Sequence, residues 1–191
     1  MHQNKKNSLS AQLTLLQGLL LAAALAACNP QADNAPPAAL AAPSCGKNGA
    51  MEAALFGSIE ANILWATGEM ECESMQRPKG EGMRLRFAGE LAGEHLVIII
   101  AMPGLKPDEI GVELPSNVTA TVEGTGRFFN TPNLDACWTE VRSQARLGDL
   151  TDIRAIEGTL FCVAPLGEIN GDAAVSIPKL TFSTIVNWSA K

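Results

Sequence analysis

The chain has 191 residues, 47% of them apolar, with a formal charge of -6. That apolar share supports a core and argues against wholesale disorder. The acidic balance, with no short basic segment, argues against a general nucleic-acid or anionic-membrane binder, since phosphate attraction needs a basic face.

Lys5 and Lys6 form a positive start, and Leu13 to Ala27 supply 15 mostly apolar residues. As a helix this stretch spans roughly 22 Å, short of a hydrocarbon core of about 30 Å, and it ends in small residues, as the apolar part of a secretory signal does. Its last four residues, Leu25-Ala26-Ala27-Cys28, resemble the lipobox of bacterial lipoprotein precursors. The resemblance implies that residues 1–27 are removed, that the Cys28 thiol carries a diacylglycerol and that the new amino group is acylated. Several acyl chains hold where one leaks away, at about 0.8 kcal/mol per buried CH₂. Asn29 stands where an Asp favours inner-membrane retention in that family, so the resemblance implies an outer-membrane anchor in the cell envelope. Removing the leader takes Lys5 and Lys6 with it and leaves 12 basic against 20 acidic residues.

Residues 28–44 then read as the lipidated Cys and a tether. Six Ala and four Pro among residues 29–44 supply little to bury and favour an extended chain of up to roughly 50 Å. Residues 45–191 are expected to fold as one domain. Export places Cys45, Cys72, Cys137 and Cys162 in an oxidising compartment, the periplasm or the cell surface. Three pairings are possible, and we favour the sequence-local Cys45 with Cys72 and Cys137 with Cys162. No CxxC or paired His suggests zinc.

Within the domain, Met51 to Phe56 and Pro107 to Ile110 read as brief helices, and the rest as strands. Met70 and Cys72 alternate with Glu69, Glu71 and Glu73, while Met83, Leu85 and Phe87 alternate with Arg84 and Arg86. A hairpin through the loop QRPKGE would set Glu71 opposite Arg84 and Glu69 opposite Arg86. Leu96 to Met102 is continuously apolar, which suits a central strand covered on both faces. Val118, Ala120 and Val122 alternate again. A second hairpin with Cys137 opposite Cys162 sets Trp138 against Phe161 and Arg142 against Glu157, with Val141, Ile156 and Leu160 on the cysteine face. Val175, Ile177, Leu180 and Phe182 continue the pattern, and Pro178 marks a bulge or an edge. The expectation is an all-β, two-sheet antiparallel β-sandwich of eight or nine strands, with a closed β-barrel as the alternative.

Candidate chemistry is sparse. His95 follows Glu94 at the start of the most apolar run, with no G-x-S-x-G or H-E-x-x-H around it, and reads as a strand-end polar residue. The row Glu69, Glu71, Glu73 has a spacing of roughly 7 Å, compatible with a hydrolase carboxylate pair, but neighbouring arginines favour a solvated charge ladder. Asp149, Asp152, Glu168 and Asp172 concentrate hard oxygens near turn residues and could serve Ca²⁺ if their loops adjoin. Trp138 and Phe161 form a candidate stacking platform for a sugar or a protein. The chain has three Trp, six Phe and no Tyr, so a surface aromatic pair is notable. The sequence therefore points to a noncatalytic, lipid-anchored envelope lipoprotein acting as a binding or structural module, with a calcium- or carbohydrate-binding module and a small hydrolase as alternatives.

Overall fold

The computed structural model describes residues 45–77 and 81–189; Cys28, the leader and the tether lie outside them. Thirteen strands form one antiparallel sheet: β1 (Ala50–Gly57), β2 (Ala61–Ala66), β3 (Met70–Gln76), β4 (Met83–Leu91), β5 (Glu94–Met102), β6 (Glu113–Pro115), β7 (Asn117–Val122), β8 (Arg127–Asn130), β9 (Cys137–Leu147), β10 (Leu150–Cys162), β11 (Leu166–Glu168), β12 (Ala174–Ser176) and β13 (Lys179–Asn187). A 3-10 turn, Leu134–Ala136, precedes β9, and the Asn133 side chain caps it.

The all-β expectation holds, and two finer ones do not. Among the described residues strands number 13 rather than eight or nine, because β6, β8 and β11, of three or four residues each, are too short to show an alternation. Among the described residues the hydrogen-bonded path runs from β3 to β6 without closing into a barrel, and it does not divide into two separate sheets. Strand β1 is the joint. Residues 50–53 pair with β13, while Phe56 and Gly57 pair with Ser176 and Val175 of β12. Gly57 makes this corner possible: its φ is 100°, and a Cβ there would lie 2.6 Å from the Ala174 carbonyl oxygen. One arm thus holds β2, β1, β13, β10, β9 and β6. The other holds β12, β11, β8, β7, β5, β4 and β3.

The arms share one core. Phe87 of β4 packs against Phe182 of β13 with ring centroids 5.8 Å apart, and the Asn187 N–H of β13 donates to Ser74 Oγ of β3 at 3.1 Å. The Cys45–Cys72 disulfide ties the segment before β1 to β3. Ile63, Trp65, Ile98, Ile100, Phe129, Ile156 and Leu160 fill the same core. Strand β5 is central, between β4 and β7, with Leu96, Val97 and Ile98 buried in succession; Ile99 and Ala101 farther along are half-buried.

Two segments expected as helices are not. Residues 51–56 belong to β1, where Met51, Ala53 and Leu55 face the core and Ala50 and Glu52 face outward. Their good helix propensity yields to sheet packing on both edges, a usual tertiary override. Pro107 and Asp108 form a turn, closed by the Glu109 N–H donating to the Lys106 carbonyl at 3.3 Å, and Ile110 follows in irregular chain.

The β3–β4 register also differs. Cys72 lies opposite Phe87, Glu73 opposite Arg86 and Glu71 opposite Ala88. The expected and observed registers keep the same residues inward, so only packing separates them. Met70 sits opposite Gly89, and Gly89 lacks a side chain where Trp65 of the facing arm lies: a Cβ there would be 2.8 Å from the indole. That fit outweighs exposed ion pairs, each worth about 0–1 kcal/mol.

Candidate binding face

The β9–β10 hairpin carries the anticipated aromatic pair. Gly148, with φ 59°, and Asp149 form its two-residue turn between Leu147 and Leu150, a conformation that suits glycine. Cys137 lies opposite Cys162 and is disulfide-bonded to it, and Trp138 lies opposite Phe161 as expected. Val141, Ile156 and Leu160 are buried with Cys137 on the core face. A bulge at Glu157–Gly158 breaks the register beyond this point. Glu157 therefore faces Ser143, and Arg142 approaches Glu140 at 4.0 Å instead of Glu157.

Parity puts Trp138 and Phe161 on the outer face, both half-buried, with centroids 6.2 Å apart and planes inclined by 29°. Next to Phe161 in the same row is Lys179 of β13. From Lys179 the outer face becomes a trough. A cavity of about 400 Å³ is lined by Glu52, Asn62, Leu64, Lys179 and Thr181. A second of about 260 Å³ shares Glu52, Leu64 and Thr181 and adds Arg142, Glu157 and Ser183. A third of about 690 Å³ shares Ser183 and adds Lys47, Leu147, Ala155 and Ile185. The trough follows Lys179, Thr181, Ser183 and Ile185 along β13, a run of roughly 20 Å at about 3.3 Å per residue. Its floor sets the Thr181 and Ser183 hydroxyls between Lys179 and Ile185, and Leu64, 77% exposed, stands at its wall. Such a surface offers stacking, hydroxyls, a carboxamide and both charges to a ligand lying along it.

The other anticipated residues are scattered. Asp149 is in the β9–β10 turn, Asp152 in β10, Glu168 in β11 and Asp172 in the loop before β12. Among the described residues no three His, Cys, Asp or Glu side chains gather as a metal site. The Glu168 carboxylate accepts from Arg127 Nε at 2.6 Å, which holds its pKa below the ordinary value, and Arg127 also covers the Phe129 ring at 5.0 Å.

The carboxylate row is exposed. Glu69 accepts from the Ala66 N–H at 2.9 Å, closing a turn, while Arg86 joins Glu71 at 3.3 Å and Glu73 at 3.4 Å. Arg86 also reaches Glu123 at 3.4 Å, and His95 Nδ1 lies 2.8 Å from the other oxygen of that carboxylate. His95 is thus a member of a surface charge network.

Three polar residues escaped the sequence reading: Asp108, Arg146 and Arg154, which meet at one mouth of the fold. A signal for Arg154 was present, since it shares the parity of Ile156 and Leu160 and so falls on the core face.

No family model, curated protein or solved structure matches this chain.

Proposed function

We propose that the chain is a noncatalytic binding protein of the bacterial envelope, held to the outer membrane by lipid on Cys28 and raised on the tether of residues 28–44. The two arms then act together as a sandwich that presents the outer face of β9, β10, β13, β1 and β2 to its ligand. The observation that carries this reading is the stacked Trp138–Phe161 pair, left on an outer face beside a continuous trough. Core aromatics are fully buried; a half-buried pair on an outer face beside a concave surface of mixed polarity suits recognition.

The chemistry of the face favours a glycan as the ligand. Aromatic faces take the apolar side of a sugar ring, while Asn62, Thr181, Ser183, Glu52 and Lys179 supply hydrogen-bond partners along the trough. The test is a thermal-shift and calorimetric screen of soluble envelope glycans against the protein and its Trp138→Ala variant. Binding to the parent that is weakened at least tenfold in the variant supports the assignment. Equal binding by both, or no glycan bound by the parent, overturns the glycan reading. Mass spectrometry of the mature protein tests the anchor: Cys28 as the acylated first residue supports it, and an unmodified thiol overturns it.

A further inference from the structure

Between β5 and β6 the chain crosses from one arm to the other as a strap, residues 103–112, over one mouth of the fold. Leu105 anchors it, fully buried. Gln144 of β9 donates from Nε2 to the carbonyls of Lys106 at 2.9 Å and Glu109 at 2.7 Å, and the Gly111 N–H donates to the Val141 carbonyl at 2.8 Å. At its crest Asp108 adopts φ 63°, the left-handed region that non-glycine residues rarely enter. Backbone strain of this kind persists where surrounding contacts hold it, and such places are often functional.

What holds Asp108 is a pair of arginines. Arg154 donates from Nε to one carboxylate oxygen at 3.0 Å and from Nη2 to the other at 3.2 Å, a two-pronged grip, and Arg146 Nη2 adds a third bond at 3.2 Å. The two partners are unequally placed. Arg154 is 4% exposed among core side chains, whereas the Asp108 side chain is half exposed. The acid therefore lies on the solvent side of a buried guanidinium. Beside them on the same face of the sheet, Gln144 and Thr184 flank Ile156, one step from Arg146 and Arg154. Thr184 Oγ1, buried with its residue 3% exposed, and Gln144 Oε1 have no protein partner among the described residues. Of the two, the Thr184 hydroxyl can donate to a carboxylate held beside the arginines, whereas Gln144 Oε1 only accepts.

A buried arginine fork matches a carboxylate in shape and charge, and losing its counter-ion leaves a desolvated cation. We propose that Arg146 and Arg154 form a carboxylate-binding site, and that Asp108 is its tethered occupant, keeping it closed to carboxylates from outside. The strap is then a plug whose strained residue is itself the ligand. This site is on the face of β9 and β10 opposite the Trp138–Phe161 pair and stands independently of the glycan reading.

The test is occupation of the vacated site. Asp108→Gly removes the carboxylate and relieves the positive φ at once, so backbone strain does not confuse the result. Its melting temperature is measured in the purified protein with sodium formate and, at equal ionic strength, with sodium chloride. Formate is expected to raise the Tm of Asp108→Gly by about 3 °C more than chloride does. It should add nothing beyond chloride in the parent, where Asp108 holds the site, nor in Asp108→Gly/Arg154→Met. If Asp108→Gly is unfolded without added salt, the same comparison is read as recovery of near-ultraviolet circular dichroism. Equal responses to formate and chloride, or a formate effect that survives Arg154→Met, would overturn the proposal.

Discussion

Gly158 of β10 lies beneath the ring of Phe182 in the neighbouring β13, its Cα partner, so closely that a Cβ on Gly158 would stand 2.6 Å from the ring's Cζ. The Glu140 carbonyl oxygen would be 3.0 Å away on the other side. Phe182 cannot swing clear, because it is buried and packed on Phe87. Gly158→Ala is therefore expected to cost about 1–3 kcal/mol by overpacking. In a urea-unfolding double-mutant cycle with Phe182→Leu, the two changes should couple favourably, the smaller side chain making room for the new methyl group. Additive costs would show that Phe182 does not set the limit at Gly158.

The aromatic pair of the outer face should behave differently from core aromatics. Phe161 is half-buried and stacks on Trp138, whereas Phe129 is fully buried. Phe161→Ala is expected to cost about 1–2 kcal/mol, mostly lost stacking and partial burial. Phe129→Ala should cost about 3–5 kcal/mol. Denaturant midpoints compare the two directly. A Phe161→Ala cost as large as that of Phe129→Ala would make the outer pair a second core cluster and weaken the case for a binding face.

The two disulfides close loops of nearly equal length, with separations of 27 and 25 residues. On chain entropy alone each is worth about 3 kcal/mol. Their positions differ, since Cys45–Cys72 ties the segment leading into β1 to β3 of the other arm, while Cys137–Cys162 joins neighbouring strands. Replacing Cys137 and Cys162 by Ser should therefore cost about 3 kcal/mol or less, the smaller value if the β9–β10 hairpin persists in the unfolded chain, and replacing Cys45 and Cys72 about 3 kcal/mol. Urea unfolding of the two double-Ser variants measures this. A costlier loss at the hairpin than between the arms would contradict the argument.

How far the fold could be read from the sequence depended on what constrained each pairing. Cys137 and Cys162, with the parity of Val141, Ile156 and Leu160, fixed both register and face in β9–β10 up to the bulge at Gly158. Charge alone placed Glu71 against Arg84. Shifting that pair by an even number of residues leaves every side chain on its face, so parity could not reject the wrong choice; the fit of Trp65 over Gly89 is a contact between distant segments. In β1 small outward alanines blurred the alternation of Met51, Ala53 and Leu55. Of the candidate sites, the Trp138–Phe161 pair was legible because it belongs to one hairpin. The trough was not, since its walls come from β1, β2, β9, β10 and β13, nor was the meeting of Asp108 with Arg146 and Arg154, which depends on the course of the strap.

The network around Glu123 sets a pH dependence whose direction follows from the charges that face it. Glu123 accepts from His95, and Arg86 reaches its other oxygen; Glu71 and Glu73 share that arginine. The His95 hydrogen bond, aided by the charges of His95 and Arg86, holds the Glu123 carboxyl below its ordinary value of 4.5. A pKa lower in the folded than in the unfolded state means that the unfolded chain binds the proton more readily. Glu123 therefore stabilises the fold fully above about pH 4.5, and the contribution drains away as the pH falls through the folded-state pKa. Because the carboxylate is exposed, the effect should be modest and should shrink in high salt. Melting temperatures of the parent and Glu123→Gln, taken from about pH 6 down to about pH 2.5 at low ionic strength, should differ at the upper end with the parent more stable. The gap should close below about pH 4.5. Asp108 and Glu168, also held low by arginines, titrate in both proteins and cancel from the difference. A gap that stays constant down to the most acid point would mean that the substitution removes packing or hydrogen bonding rather than charge, and the network would then hold β5 to β7 by shape.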